Sequence, residues 1–423
     1  MPMPVSFKER LYPILPDIAG YFSTPFYIYD ETGIKDTCRR LLSAFDFPGV
    51  EFQEFFAVKA NPNPRVMEIF QDFGFGFDCS STPELRLARD LETRPEDIMF
   101  TSNNTSSAEF REAEKMGGCI LNLDDITLID KVPHFPELIC FRYNPGERRS
   151  GNEIIGNPVE AKYGVSHDQI VDAYRLAREK GARRFGIHTM ICSNELNYEY
   201  MVETVRMLCE LMEMISGELG IKFEFMNMGG GLGVAYEPGQ QEIPLEKMAE
   251  EIYYHLDNFR QNQGYLPKLF LESGRYMAGP HGVLVTKCLN QKHTYKEWRG
   301  VDATMADLMR PGMYWPDGGY HHIEVFDKED HPEREAVNVV GSLCENCDQF
   351  ARDRELPPIK EGDLLVIQDC GAHGHAMGFN YNARLRPKEL MFREGGEVEL
   401  IRRAQTHEDY VATLNFEPKK IVF

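Results

Sequence analysis

The chain has 423 residues, 42% of them hydrophobic and 27% charged, ordinary globular proportions that exclude disordered and fibrous classes. Its 46 Lys and Arg against 67 Asp and Glu give a formal charge of −21, which argues against nucleic acid and an anionic membrane surface as partners. No apolar run approaches the ~20 residues that span a bilayer, and the Pro-interrupted start lacks a signal-peptide core, so a cytoplasmic protein is expected.

In chain order, a lone strand at 25–29 precedes a β-then-α rhythm between residues 50 and 280. Apolar runs at 52–58, 75–79, 98–101, 119–123, 138–142, 185–189, 223–228 and 269–272 read as buried parallel strands. Amphipathic stretches such as 83–91, 107–116, 169–180 and 199–215 read as helices between them. Eight such units are the count of a closed (β/α)8 barrel. Past residue 280 the texture changes, and 282–289, 336–340, 364–369, 389–393 and 397–402 read as short strands divided by Gly, Pro and Asp turns. The predicted fold is α/β: an N-terminal TIM-like barrel over 35–280, and an all-β domain of 281–423 that also takes the N-terminal strand within 1–34. Ten cysteines spread over the chain, with no export signal, read as reduced thiols.

Reactive groups of such a barrel gather where strands end. The first strand ends in FAVKANPNP, which puts Lys59 at that rim. A lysine behind an apolar strand is desolvated, so its pKa is expected to fall, and a neutral amine condenses with an aldehyde. The seventh strand ends in MNMGGGLGVAY, where Gly229, Gly230 and Gly231 let backbone N–H groups approach an anion. The spacing does not fit G-x-G-x-x-G, so a single phosphate suits it better than a dinucleotide. The eighth strand ends in LFLESGRYMAG, setting Glu272 and Arg275 across the Ser273-Gly274 turn. A carboxylate facing a pyridine nitrogen keeps that ring an electron sink, and an arginine beside it suits a carboxylate or phosphate. His188 ends the sixth strand in GIHTMICSN, where an imidazole can lie on an aromatic cofactor and Ser193 can add a hydroxyl to a phosphate. Each of these also reads blandly, as a solvated lysine, a tight turn, a salt bridge or a packed histidine. In the β region, Cys344 and Cys347 have C-x-x-C spacing without a second ligand pair, so a single reactive Cys344 beside Glu345 is the better functional reading. The pairs His321–His322 and His373–His375 lack a carboxylate or helical partner, so no metal is expected.

Together these stretches resemble the fold type III pyridoxal-phosphate decarboxylases of the alanine-racemase-like barrel, most closely the diaminopimelate decarboxylases. FAVKANPNP, FDCSSTPEL, GIH, GGGLG, ESGRYMAG, MRPGMY with YHHI, GSLCENCD and GAHGHAMGFNYNARLRP carry the resemblance, in the family's order over nearly the whole chain. It implies a homodimer with active sites shared across the interface, and decarboxylation of meso-2,6-diaminopimelate to L-lysine and CO2 in lysine biosynthesis. Lys59 would form the Schiff base with pyridoxal 5'-phosphate, His188 would lie against the ring and Glu272 would hold its nitrogen. Gly229–Gly231 and the turn Ser273, Gly274, Arg275 would hold the phosphate. Arg275, Arg310 and Tyr314 would contact the amino-acid substrate. Cys344, as proton donor, and Glu345, on the distal ammonium, would enter from the other subunit. Three departures stand out. His373 replaces the usual Tyr that touches phosphate and substrate, Ser193 follows an altered spacing after His188, and Cys347 is an extra thiol. They motivate the alternative of a related decarboxylase of another basic or D-amino acid. A cofactor-binding protein without turnover is the alternative from another class.

Overall fold

The computed structural model describes residues 3–152, 154–314, 319–414, 417 and 421. The chain divides into two compact units, Thr32–Pro280 and Met1–Glu31 with His281–Phe423.

The first unit is a closed parallel barrel. Its eight strands are Phe52–Ala57, Gly76–Cys79, Ile98–Phe100, Ile120–Leu123, Leu138–Asn144, Arg184–Thr189, Phe223–Asn227 and Lys268–Leu271. Each pairs in parallel with its neighbour, and the last pairs with the first at Leu269↔Phe52, which closes the cylinder. Phe55, Met99, Ile120, Leu138, Cys140, Phe225 and Phe270 form an apolar cluster, with Phe225 stacked on Phe270 at 4.5 Å. Gly186 makes room for Phe225, because a Cβ there would lie 2.0 Å from its ring. On the first strand Phe56 stacks on Phe70 of helix Pro64–Asp72, whose first turn Asn63 caps. Ser106 and Glu109 form a capping box for helix Ser107–Lys115. Only a 3-10 turn, Ile126–Lys131, follows the fourth strand, where Pro133 and Pro136 leave no room for a longer helix.

The second unit is a mixed sheet. Its N-terminal strand Phe26–Asp30 pairs antiparallel with Gly282–His293 and parallel with Lys388–Phe392, so the start of the chain is stitched between its late strands. Helices Val5–Leu11 and Leu15–Phe22 bury Phe7, Leu11 and Leu15 against Phe26, Ile28, Val283 and Leu390. Strands Glu297–Val301, Ile323–Val325 and Gln349–Leu356 add to those expected from the sequence. Among the described residues, no helix is long and apolar enough to cross a membrane.

Candidate active site

The C-terminal ends of the barrel strands surround a cavity of about 630 Å³. Lys59, Asp78, Arg142, His188, Ser193 and Glu272 are among its lining residues. The first strand stops at Ala57, and a single 3-10 turn, Val58–Ala60, lifts Lys59 into the cavity with its side chain half-exposed. Its Nζ donates to Oδ2 of Asp78 at 3.1 Å, a buried carboxylate inside the second strand. Glu272 directly follows the eighth strand and is buried. Its Oε2 is 3.0 Å from His188 Nε2, and its Oε1 accepts from Asn227 Nδ2 at 2.7 Å.

The charges correct one expectation. Burial alone pulls the Lys59 ammonium down, but Asp78, Glu272 and Glu84 outweigh it and raise the pKa above the ordinary lysine value. The lysine therefore rests as an ion-paired ammonium, not a neutral amine. Burial likewise opposes ionisation of Glu272, yet His188, Lys59 and Asn227 hold its carboxyl below the usual range. Asp78 goes the other way: burial and repulsion from Glu272 lift its carboxyl, offset only in part by Lys59 and His188.

The glycine triplet has a packing reason of its own. Gly229 has φ +73°, and a Cβ there would lie 2.2 Å from the Thr189 carbonyl oxygen; one on Gly230 would lie 2.2 Å from that of Glu272. The triplet lets the seventh strand leave the barrel between the sixth and the eighth. The Gly229 amide donates to Asn227 Oδ1 at 2.8 Å, and that of Gly230 meets the Met190 sulfur, a weak acceptor, at 3.2 Å. In the next turn the Ser273 amide donates to the buried Glu54 carboxyl. Gly274 lies so near Ala60 that a Cβ would come within 2.6 Å of it. Arg275 opens the short helix Arg275–Ala278 and donates to the Tyr236 hydroxyl at 2.9 Å.

Lys59, His188, Ser193 and Glu272 thus share one cavity. Gly229–Gly231 and Ser273, Gly274 and Arg275 belong to the same barrel unit, whereas Arg310, Tyr314, Cys344, Glu345 and His373 belong to the sheet unit. Arg310 is buried, with Nε 3.3 Å from His321 Nε2 and its guanidinium 5.4 Å from the Tyr314 ring centroid. Cys344 is exposed, and its amide donates to Asn382 Oδ1 at 2.7 Å; Glu345 raises the pKa of the Tyr381 hydroxyl by hydrogen bonding to it. His373 sits at φ +55°. Sequence reasoning missed Asp78, Asn227, Arg142, Tyr236 and Glu54. For Asp78, Asn227 and Glu54 the available signal was a polar side chain inside an apolar strand, as in FDC, FMN and FQEFFA; Tyr236, outside the strands, carried none.

The cavity offers an amine for an aldehyde, an ionised carboxylate, and two buried polar atoms with no partner among the described residues, His188 Nδ1 and Asp78 Oδ1. This donor set fits pyridoxal phosphate, and the barrel that carries it is that of the fold type III pyridoxal-phosphate enzymes. Within that class the chain belongs to the pyridoxal-dependent decarboxylases, whose pyridoxal binding domain matches residues 31–279. It is 42% identical over 419 residues to Protein TabA of Pseudomonas amygdali pv. tabaci, covering 99% of this chain and 97% of that one. It is 35% identical over 405 residues to the diaminopimelate decarboxylase of Methanothermobacter thermautotrophicus, covering 94% and 93%. Among solved structures, the diaminopimelate decarboxylase of M. jannaschii superposes with a TM-score of 0.87 at 30% identity, covering 95% of this chain and 94% of that one; it is also known in complex with L-lysine.

Proposed function

We propose that this protein decarboxylates meso-diaminopimelate at its D-configured end to give L-lysine and CO2, in a cytoplasmic homodimer whose active sites are shared. The observation that carries the chemistry is the constellation Lys59–Asp78 and Glu272–His188 in one cavity. Pyridoxal phosphate, when bound, supplies the electron sink that accepts the electron pair left by departing CO2. The protein's own groups do the rest. Lys59 gives up to solvent the extra proton that Asp78 holds on it, and presents a neutral Nζ to the aldehyde. Glu272, held ionised, would hold the pyridine nitrogen, and His188 would lie against the ring. The Gly229 and Ser273 amides already donate to Asn227 and Glu54, so the amides of Gly230, Gly231, Gly274 and Arg275 would take the phosphate. Arg310 and Tyr314 orient substrate carboxylate, and Glu345 of the second chain takes the distal ammonium. Cys344 Sγ delivers the proton that replaces the lost carboxylate. The diaminopimelate decarboxylases among its relatives support this substrate, because its far end keeps both an ammonium and a carboxylate to be recognised.

A second reading is favoured by the 42% identity to Protein TabA together with His373, the Ser193 spacing and Cys347: a related decarboxylase acting on another amino acid. One assay separates the two. Purified protein with added pyridoxal phosphate is tested for CO2 release across meso-diaminopimelate, lysine, ornithine, arginine and D-amino acids. The proposal expects turnover of meso-diaminopimelate, lost by about a thousandfold or more in Lys59→Ala. Turnover of another amino acid with none of meso-diaminopimelate establishes the second reading.

A further inference from the structure

Asn227, the last residue of the seventh strand, does more than help to keep Glu272 ionised. It is fully buried, and its side chain reaches two elements at once. Nδ2 donates to Glu272 Oε1 at 2.7 Å, and it also lies 3.1 Å from the Met99 sulfur. Oδ1 accepts the Gly229 amide at 2.8 Å. One amide group therefore ties the carboxylate after the eighth strand to the first residue of the glycine triplet. The backbone repeats the tie, since the Glu272 amide donates to the Gly229 carbonyl at 2.9 Å. His188 holds the other oxygen of Glu272 at 3.0 Å, so both carboxylate oxygens are fixed.

We propose that Asn227 is a positioning residue that sets Glu272 against the cofactor's pyridine nitrogen and holds the glycine turn beneath its phosphate, so that the two grips form as one unit. The inference rests on the assignment of Glu272 and the glycine triplet to pyridoxal phosphate. Chemistry explains why an amide stands here. A carboxylate of the same shape accepts from Gly229 equally well, but an ionised one has no proton to give Glu272. An amide is donor and acceptor together, and it adds no charge. The carboxyl of Glu272 is faced by His188, Lys59, Asp78, Arg142, Glu54 and Cys140. A further negative charge at hydrogen-bond distance leaves two carboxylates competing for one proton.

The test is Asn227→Asp, read by equilibrium titration of the apo-protein with pyridoxal phosphate, following cofactor absorbance across pH. At alkaline pH both carboxylates are ionised, and cofactor affinity is expected to fall about tenfold or more, the loss of a charge-assisted hydrogen bond plus repulsion. As pH falls, one proton bridges the pair and affinity recovers toward that of the unchanged protein, a recovery that simple misfolding does not give. Asn227→Ser, too short to reach Glu272, is expected to bind weakly at every pH. Affinity in Asn227→Asp equal to the unchanged protein across the range overturns the proposal. Loss of the folded barrel in both variants, seen by circular dichroism, overturns it too, because the residue would then serve the fold and not the cofactor. Glu272→Gln is run alongside. If that variant binds cofactor normally, the assignment of Glu272 itself has failed. If it is impaired while Asn227→Asp is normal, only the coupling through Asn227 has failed.

Discussion

Lys59 and Asp78 share one proton, and the side chains around them decide where it stays. Burial depresses the lysine, but Asp78 at 3.1 Å, with Glu272 and Glu84 behind it, more than compensates. Removing the Asp78 charge leaves the desolvation of Lys59 less opposed, so its pKa must fall and more of it must be neutral near pH 7. Asp78→Asn is therefore expected to speed capture of pyridoxal phosphate by the apo-protein about tenfold near neutrality, equivalent to one pKa unit, and to move the pH–rate profile toward acid. Stopped-flow absorbance measures this, and an unmoved profile would show that Asp78 does not control the lysine proton. Sequence made Lys59, His188 and Glu272 legible because each ends a strand in a characteristic motif. It left Asp78 and Glu54 indistinguishable, since both are lone acids within apolar strands. One meets Lys59 in the cavity and the other meets the Ser273 amide, a difference set by strand facing and by partners far along the chain. The expected fall in the Lys59 pKa failed for the same reason. The burial was readable locally, whereas the opposing charges come from other strands and the helix after the second.

The strands of the barrel were legible because each is a short apolar run bounded by turn residues. The N-terminal helices were not, since Pro13 and Pro16 read as breaks, although both fall at the openings of helical turns, where proline costs no hydrogen bond. The edge strand Gln349–Leu356 was hidden by a run of charge, Arg352–Glu355, that reads as solvated loop. Glycines separate into two kinds, and a pair of substitutions tells them apart. Gly220 ends helix Tyr198–Leu219 at φ +65° with open space around it. Gly220→Ala pays only the left-handed backbone cost, about 1 kcal/mol, and should leave cofactor affinity unchanged. In Gly230→Ala the new methyl strikes the Glu272 carbonyl oxygen, and backbone must move at the site itself. That variant is expected to lose about 1–3 kcal/mol of stability and to bind pyridoxal phosphate about tenfold or more weakly. Thermal melting and cofactor titration of the two proteins check this; equal affinities would mean that the arch tolerates displacement.

The whole molecule divides its proposed chemistry between two units, with Lys59 and Glu272 on the barrel and Cys344 and Glu345 on the sheet. If the active sites are shared, the two sets come together from different chains, and pairing becomes a condition of activity. Lys59→Ala and Cys344→Ala are each expected to be nearly inactive. In a mixed dimer the two damaged positions fall in the same site, which leaves the other site with an intact Lys59 from one chain and an intact Cys344 from its partner. Random exchange makes half of the dimers mixed, each with one working site of two, so the mixture should regain about one quarter of the unmutated activity. If each chain instead furnished its own complete site, every site in the mixture would carry one lesion, and mixing would restore nothing. Sedimentation of the same samples ties the result to pairing: activity should rise with the fraction of dimer, and chains kept apart by dilution should not complement.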